Sequence, residues 1–233
     1  MRTNIYINSF NRLTTLKTLV EQCLSLKGAG TIYIVDNHSS YLPLLEWLAG
    51  IRKSSIANRV QVICLGHNAG PRAAFYKANE YEDQRFVITD PDLDLDNCPI
   101  DLISVLHSAL DEFRQFDKAG PSLRIDDIPE HSQIKDLVLA HESKFWEKPL
   151  NDKWFEADID TTFCLCNPKT AFSYKACRSN KPYQIRHVPF YCDPTKLSEE
   201  EKQYYRLLPK ERLPFFSWSG LLRERAVQNG TNC

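Results

Sequence analysis

Apolar positions in the first 113 residues follow two alternating rhythms. Short runs dense in Ile, Val and Tyr at residues 4–10 (NIYINSF), 31–36 (TIYIVD), 59–66 (RVQVICLG) and 85–90 (RFVITD) read as strands. Between them, apolar residues recur three or four apart. Leu13, Leu16, Leu19/Val20 and Cys23/Leu24 mark a helix over 12–26 that Gly28 and Gly30 end. Residues 41–51, 71–80 and 99–113 read as helices too, with Pro71 and Pro99 suited to first turns. Strands and helices alternating through short links predict an α/β fold with a mainly parallel sheet covered on both faces.

The second half is less regular. Residues 118–129 (KAGPSLRIDDIP) suggest a strand leading into an acidic turn, and 131–148 a helix. Residues 158–168 (DIDTTFCLCNP) read as a strand ended by Asn167–Pro168, and 183–191 (YQIRHVPFY) as a short strand or edge segment. The tail opens with a helix start in which Ser198 caps and Glu201 completes a capping box. No internal repeat or low-complexity linker divides the chain.

Composition narrows the class. The 233 residues are 42% hydrophobic and 25% charged, an ordinary globular balance. A net charge of -1 gives no electrostatic reason to expect nucleic acid as a partner. The N-terminus lacks the apolar core of a signal peptide, and no run of about 18 apolar residues predicts a transmembrane segment. The eight cysteines are scattered, and CLC at 164–166 is not the spacing of a zinc or thioredoxin site. Cys23, Cys64, Cys164 and Cys166 sit in apolar patterns and read as small buried hydrophobes. These features suit a reduced, cytoplasmic protein. The apolar, aromatic segment 213–222 (LPFFSWSGLL) suits either a cover over the core or peripheral contact with a membrane or protein.

In parallel α/β sheets ligands bind outside the carboxyl ends of the strands. Asp36, Gly66–His67–Asn68 and Asp90 lie at three such ends, so their loops should share one crevice. There Asp90, Asp92, Asp94 and Asp96 alternate. One use is a polar loop in which Asp96 or Asn97 caps the helix near Pro99. A calcium loop from Asp90 to Asp101 is a second reading, but Leu95 stands where its sharp turn needs glycine. A site for magnesium or manganese beside a phosphorylated ligand is the third, and the converging loops favour it.

Four stretches in order, NSFNR, VDNHSS, GHNAGPRAAFYKAN and TDPD, resemble the nucleotide-sugar-binding half of family 2 glycosyltransferases, which have the GT-A fold. The likeness covers residues 4–113; SLRIDDIP, IDTTF and RHVPFY are similar to later segments of a subgroup. It implies a Rossmann-like mixed sheet in a single domain. Residues 1–115 would form the nucleotide-sugar-binding half, 116–195 the acceptor-binding and catalytic half, and 196–233 a C-terminal helical tail. Asn8, Phe10, Arg12, Asp36, Asn37, Asn68, Gly70, Arg72 and Asp90 would meet the donor, with Asp36 accepting from the base, typically uracil. Asp92 would bind Mn2+ or Mg2+ directly, joined or replaced by Asp94, and His187 resembles the late histidine that completes the metal shell in some members.

Transfer needs a general base for the acceptor hydroxyl. Asp158, Asp160, Asp126 and Asp127 are candidates, and Asp160 is preferred because it precedes an apolar run. The resemblance thus implies a metal-dependent, inverting glycosyltransferase acting on a UDP-sugar or similar donor and a glycan or lipid-linked acceptor. A nucleotidyltransferase and a calcium-binding module are the alternatives. The absence of glycine from NSFNRLTT disfavours the first, which usually has a glycine-rich phosphate loop there.

Overall fold

The computed structural model describes residues 2–207, apart from His131 and Pro194. Its first half runs β1 (Thr3–Ser9), α1 (Thr14–Ser25), β2 (Ala29–Asp36), α2 (Leu42–Ile51), β3 (Val60–Cys64), α3 (Ala73–Tyr81), β4 (Phe86–Thr89), β5 (Leu93–Asp94) and α4 (Leu102–Glu112). The second continues with β6 (Lys118–Leu123), α5 (Lys135–Glu142), β7 (Pro149–Asn151), β8 (Trp154–Glu156), β9 (Cys164–Cys166), β10 (Cys177–His187) and α6 (Glu199–Leu207).

One mixed sheet has the order β3-β2-β1-β4-β9-β6-β10-β8-β7, with β5 paired to β10. Strands β3, β2, β1 and β4 are parallel, as the alternating pattern predicted. Successive side chains of a strand face opposite ways, so β1 feeds two cores. Ile5 and Ile7 join Leu16, Leu19, Leu102 and Leu106 from α1 and α4 on one face. Tyr6 joins Ala74, Phe75 and Ala78 from α3 on the other. Each such aliphatic side chain contributes roughly 1.5–3 kcal/mol by leaving water, which fixes the strand ends that carry the site.

Several boundaries differ from expectation. Helix α1 stops at Ser25 with Leu26 already extended; Gly28, at φ +84°, lies in the turn to β2, and Gly30 lies inside β2. A Cβ on Gly30 would stand 2.5 Å from Asn4 Oδ1, so its role there is close approach. The strand expected over 158–168 exists only as β9, because backbone carbonyls at 158–160 bond to side chains instead of a ladder. At 183–191 the strand alternative holds and the edge does not: residues 184–187 end β10, pairing with β6 and β5, and the chain then forms a 3₁₀ turn over Val188–Tyr191. The helix expected over 131–148 is reduced to α5 and a 3₁₀ turn over Ser143–Trp146. Cys64 is exposed, since β3 is the outermost strand, and the described cysteines are free.

The capping box forms as predicted, with Glu201 N donating to Ser198 Oγ and Ser198 N to Glu201 Oε2. The apolar segment 213–222 lies outside the described residues. No helix among the described residues is long and apolar enough to cross a membrane.

Candidate active site

At the carboxyl end of β1 the chain turns through Asn11, whose φ of +51° is left-handed. Asn11 Oδ1 accepts from the backbone N–H groups of Ser40 and Tyr41 at 2.7 and 2.9 Å, tying this loop to the one after β2. Asn8 and Asn37 serve the third loop. Asn37 Nδ2 donates to Gly70 O at 2.8 Å, Asn8 Nδ2 donates to Pro71 O at 3.1 Å, and Ala69 N donates to Asn37 Oδ1 at 2.7 Å. Gly70, at φ +92°, requires the freedom of glycine, and its N–H donates to Asn68 Oδ1 at 2.9 Å. Three asparagines expected to meet the donor bond to the backbone of residues 69–71 and shape that loop. Asp36 is buried; its Oδ2 accepts a long bond from Ser39 N, while Oδ1 has no partner among the described residues.

The strand β5, too short for any periodic signal, pairs antiparallel with β10 and sets Leu93 opposite His187. His187 Nε2 thereby lies 3.5 Å from Asp92 Oδ2. The same oxygen accepts from Arg12 Nη1 in a buried ion pair, and Asp92 Oδ1 has no partner among the described residues. Burial pushes the Asp92 carboxyl up, but Arg12 and His187 outweigh it and hold it well below the usual carboxylate range. Burial, then repulsion from Asp92 and Asp160, drives Asp90 the opposite way, well above that range. The helix α6 covers Arg12: the Tyr204 ring lies 3.8 Å from the guanidinium carbon, and Arg12 Nη2 donates to Tyr205 Oη at 3.1 Å. Phe10 makes an edge contact with Tyr204 at 6.3 Å.

Asp94 is directed elsewhere. Its Oδ1 accepts from Gln22 Nε2 at 2.6 Å and from Asp96 N at 2.9 Å, and Oδ2 is 4.0 Å from Arg186 Nη1. Asp96 accepts from Asn97 Nδ2 and caps no helix, while α4 starts at Leu102 without a side-chain cap. Asp101 accepts from Tyr183 Oη, so the carboxylates of the proposed calcium loop are dispersed among separate partners.

The loop after β8 brings Asp160 towards Asp90: Thr161 Oγ1, one residue on, donates to Asp90 Oδ2 at 2.9 Å. Asp158 and Asp160 are both exposed, with Ile159 buried between them, so they share a face without forming a strand. The protein around the Asp160 carboxyl raises its pKa, against Arg72 and Lys118, which lower it. Arg72 bonds to Tyr174 Oη, stacks 4.2 Å from the Phe172 ring and is near enough to Asp160 to feel its charge. Asp126 and Asp127 lie apart, paired with Lys181 and Arg186. Lys118, Thr161, Tyr204 and Tyr205 gave no signal in the sequence, because nothing local distinguishes a buried lysine heading a strand from a surface one.

Asp92 and His187 combine a carboxylate and an imidazole with one buried oxygen still open, a donor set that suits Mn2+ or Mg2+ when phosphate oxygens complete the shell. No cluster of three or more His, Cys, Asp or Glu able to hold a metal occurs among the described residues.

No protein-family model matches the chain, and no curated protein matches it significantly. Solved structures do. Mannosyltransferase PcManGT from Pyrobaculum calidifontis, in complex with GDP-Man and Mn2+, aligns over 97% of this chain and 73% of its own, with a TM-score of 0.53 at 11% identity. The fold is the GT-A fold. S. aureus TarS 1-349 in complex with UDP-GlcNAc aligns over 88% of this chain and 66% of its own, with a TM-score of 0.50 at 12% identity. Another S. aureus TarS structure aligns over 57% of this chain at 15% identity and a TM-score of 0.41; the match spans only 24% of that chain. Asp36 ends β2 and Asp90 follows β4, so these two and Asp92 lie at the sheet's carboxyl end, where α/β sheets bind ligands.

Proposed function

We propose that the chain is a metal-assisted glycosyltransferase that moves a sugar from a nucleoside diphosphate to a hydroxyl of a glycan or lipid-linked acceptor, with inversion. The observation that carries this reading is the Asp92–His187 pair, in which the buried Asp92 keeps one carboxylate oxygen open, at the strand ends of a GT-A fold. Support for a nucleotide sugar as donor comes from the complexes named above.

Asp36 accepts a hydrogen bond from the base, a uracil imide fitting its open oxygen. Asp92 and His187 would hold Mn2+ or Mg2+, which when bound supplies positive charge to the leaving diphosphate. Arg12, with a guanidinium that stays charged at any working pH, adds fixed positive charge beside Asp92. Asp160 takes the proton of the acceptor hydroxyl as that oxygen bonds to the anomeric carbon and the bond to the diphosphate breaks. The raised pKa of Asp160 suits a base. Asp158, on the same exposed face, orients the acceptor sugar.

Calorimetry tests the reading directly. UDP is expected to bind at least about tenfold more tightly with Mn2+ than without, a gain of about 1.4 kcal/mol, and Asp92→Asn is expected to remove that gain. Equal UDP and GDP affinities with and without Mn2+, or calcium binding without nucleotide affinity, overturn it.

A further inference from the structure

Three backbone carbonyls of the loop that carries Asp160 end on two buried cations. Lys118, 2% exposed at the head of β6, donates from Nζ to Ile159 O at 2.7 Å and to Asp160 O at 3.1 Å. Its ammonium also stands 4.3 Å from the centre of the Phe172 ring. Arg178, 4% exposed on β10, donates through Nε to Asp158 O at 2.9 Å and through Nη2 to the same oxygen. Its Nη1 reaches Glu142 Oε2 at 3.1 Å and its guanidinium lies 4.2 Å from Phe145, so α5 and the turn after it fix this cation in place.

Gly120 completes the seat. It shares a face of β6 with Lys118 and pairs with Arg178, and a Cβ there would stand 2.4 Å from Phe163 O and 2.8 Å from Ile159 Cδ1. Only a residue without a side chain lets the loop settle so close to the sheet. On its outer side the loop is tied to Asp90 through Thr161.

Surface loops usually leave their carbonyls to water. Here consecutive carbonyls turn inward onto full charges, in bonds roughly twice as strong as neutral ones. The consequence is directional: Ile159 is buried while Asp158 and Asp160 stand out of the loop.

We propose that Lys118 and Arg178 are positioning residues that hold the 158–160 backbone so that the Asp160 carboxylate is fixed over the crevice. The proposal rests on the reading of Asp160 as the base. A base displaced by about 1 Å loses on the order of a hundredfold in rate, so slackening either cation should affect turnover before donor binding.

The test measures nucleoside diphosphate release with Mn2+, water taking the sugar and giving its proton to the base, from the best donor of a panel that includes UDP-GlcNAc and GDP-mannose. Lys118→Met, Arg178→Met and Gly120→Ala are expected to lower kcat about tenfold to a hundredfold with donor KM within about twofold. Gly120→Ala moves the loop without removing a charge. Leu106→Ala, a core change in α4, serves as the control for lost stability and is expected to leave kcat near that of the parent protein at a temperature where circular dichroism shows it folded. Lys118→Arg and Arg178→Lys, which keep a cation in place, are expected to recover part of the loss. A kcat no lower than that of Leu106→Ala, or a loss seen only in donor KM, overturns the positioning role. Asp160→Asn separates the two claims. If it alone abolishes turnover while the clamp variants keep theirs, the clamp proposal fails and the base stands; if it keeps parental turnover, both fail.

Discussion

At the scale of single residues, the four aspartates that alternate along 90–96 have different partners. Asp90 bonds to Thr161, Asp92 pairs with Arg12 and His187, Asp94 is held by Gln22, and Asp96 by Asn97. Their types and spacing were legible in the sequence; their partners were not, since Arg12, Gln22 and His187 lie up to about a hundred residues away. The Arg12–Asp92 pair has a consequence for any test at Asp92. With Arg12 buried, Asp92→Ala leaves a guanidinium without its counter-charge, and breaking a buried pair in this way costs roughly 3–5 kcal/mol. Melting should fall by about 2–4 °C for each of those kcal/mol in a chain of this size. Adding Arg12→Met removes the orphan charge, so the double variant is expected to melt above Asp92→Ala alone. Thermal melts of the two singles and the double check this, and additive losses would mean that the pair is not coupled.

At the scale of elements, the periodic ones were read best. Strands β1 to β4 and the helices between them carry runs long enough for their period to show, and the capping box at Ser198 marked the start of α6. The strands β5, β7 and β8 have only two or three residues; β5 and β8 pair with β10, and β7 with β8, so partners rather than their own pattern place them. The use of α6 was equally hidden. Helix α1 has no side-chain cap of its own, and the buried Glu200 supplies one from α6: its carboxylate accepts from Leu13 N at 2.9 Å, Thr14 N at 3.1 Å and Thr14 Oγ1 at 2.9 Å. A carboxylate at a helix N-terminus also opposes the helix dipole favourably. Glu200→Ala is expected to cost about 1–2 kcal/mol, as loss of a cap does. The same change should speed amide exchange across both the first turn of α1 and residues 199–207, which joins the Arg12 site to this helix. Faster exchange at α1 alone would show that Tyr204 and Tyr205 hold α6 without Glu200.

At the scale of the whole molecule, the two halves of the domain read from the sequence share one sheet and one core. The sheet passes from β4 to β9 and then to β6, so the last parallel strand of the first half finds its outer partner about 80 residues later. One core holds Val87, Leu102 and Leu106 together with Phe116, Leu165, Cys177, Ile185 and Tyr205. A fragment of residues 1–115 would therefore expose β4 as an unpaired edge and lose the apolar partners of α4, and an open edge with an uncovered core favours association over folding. The full chain should unfold in urea as one cooperative transition, with circular dichroism and tryptophan fluorescence coincident. The fragment is expected to show no cooperative transition. A fragment that melts cooperatively would mean that the donor half folds first and that the second half only docks on it. In that case UDP should bind the fragment without Asp160, and the crevice would be assembled in two steps rather than one.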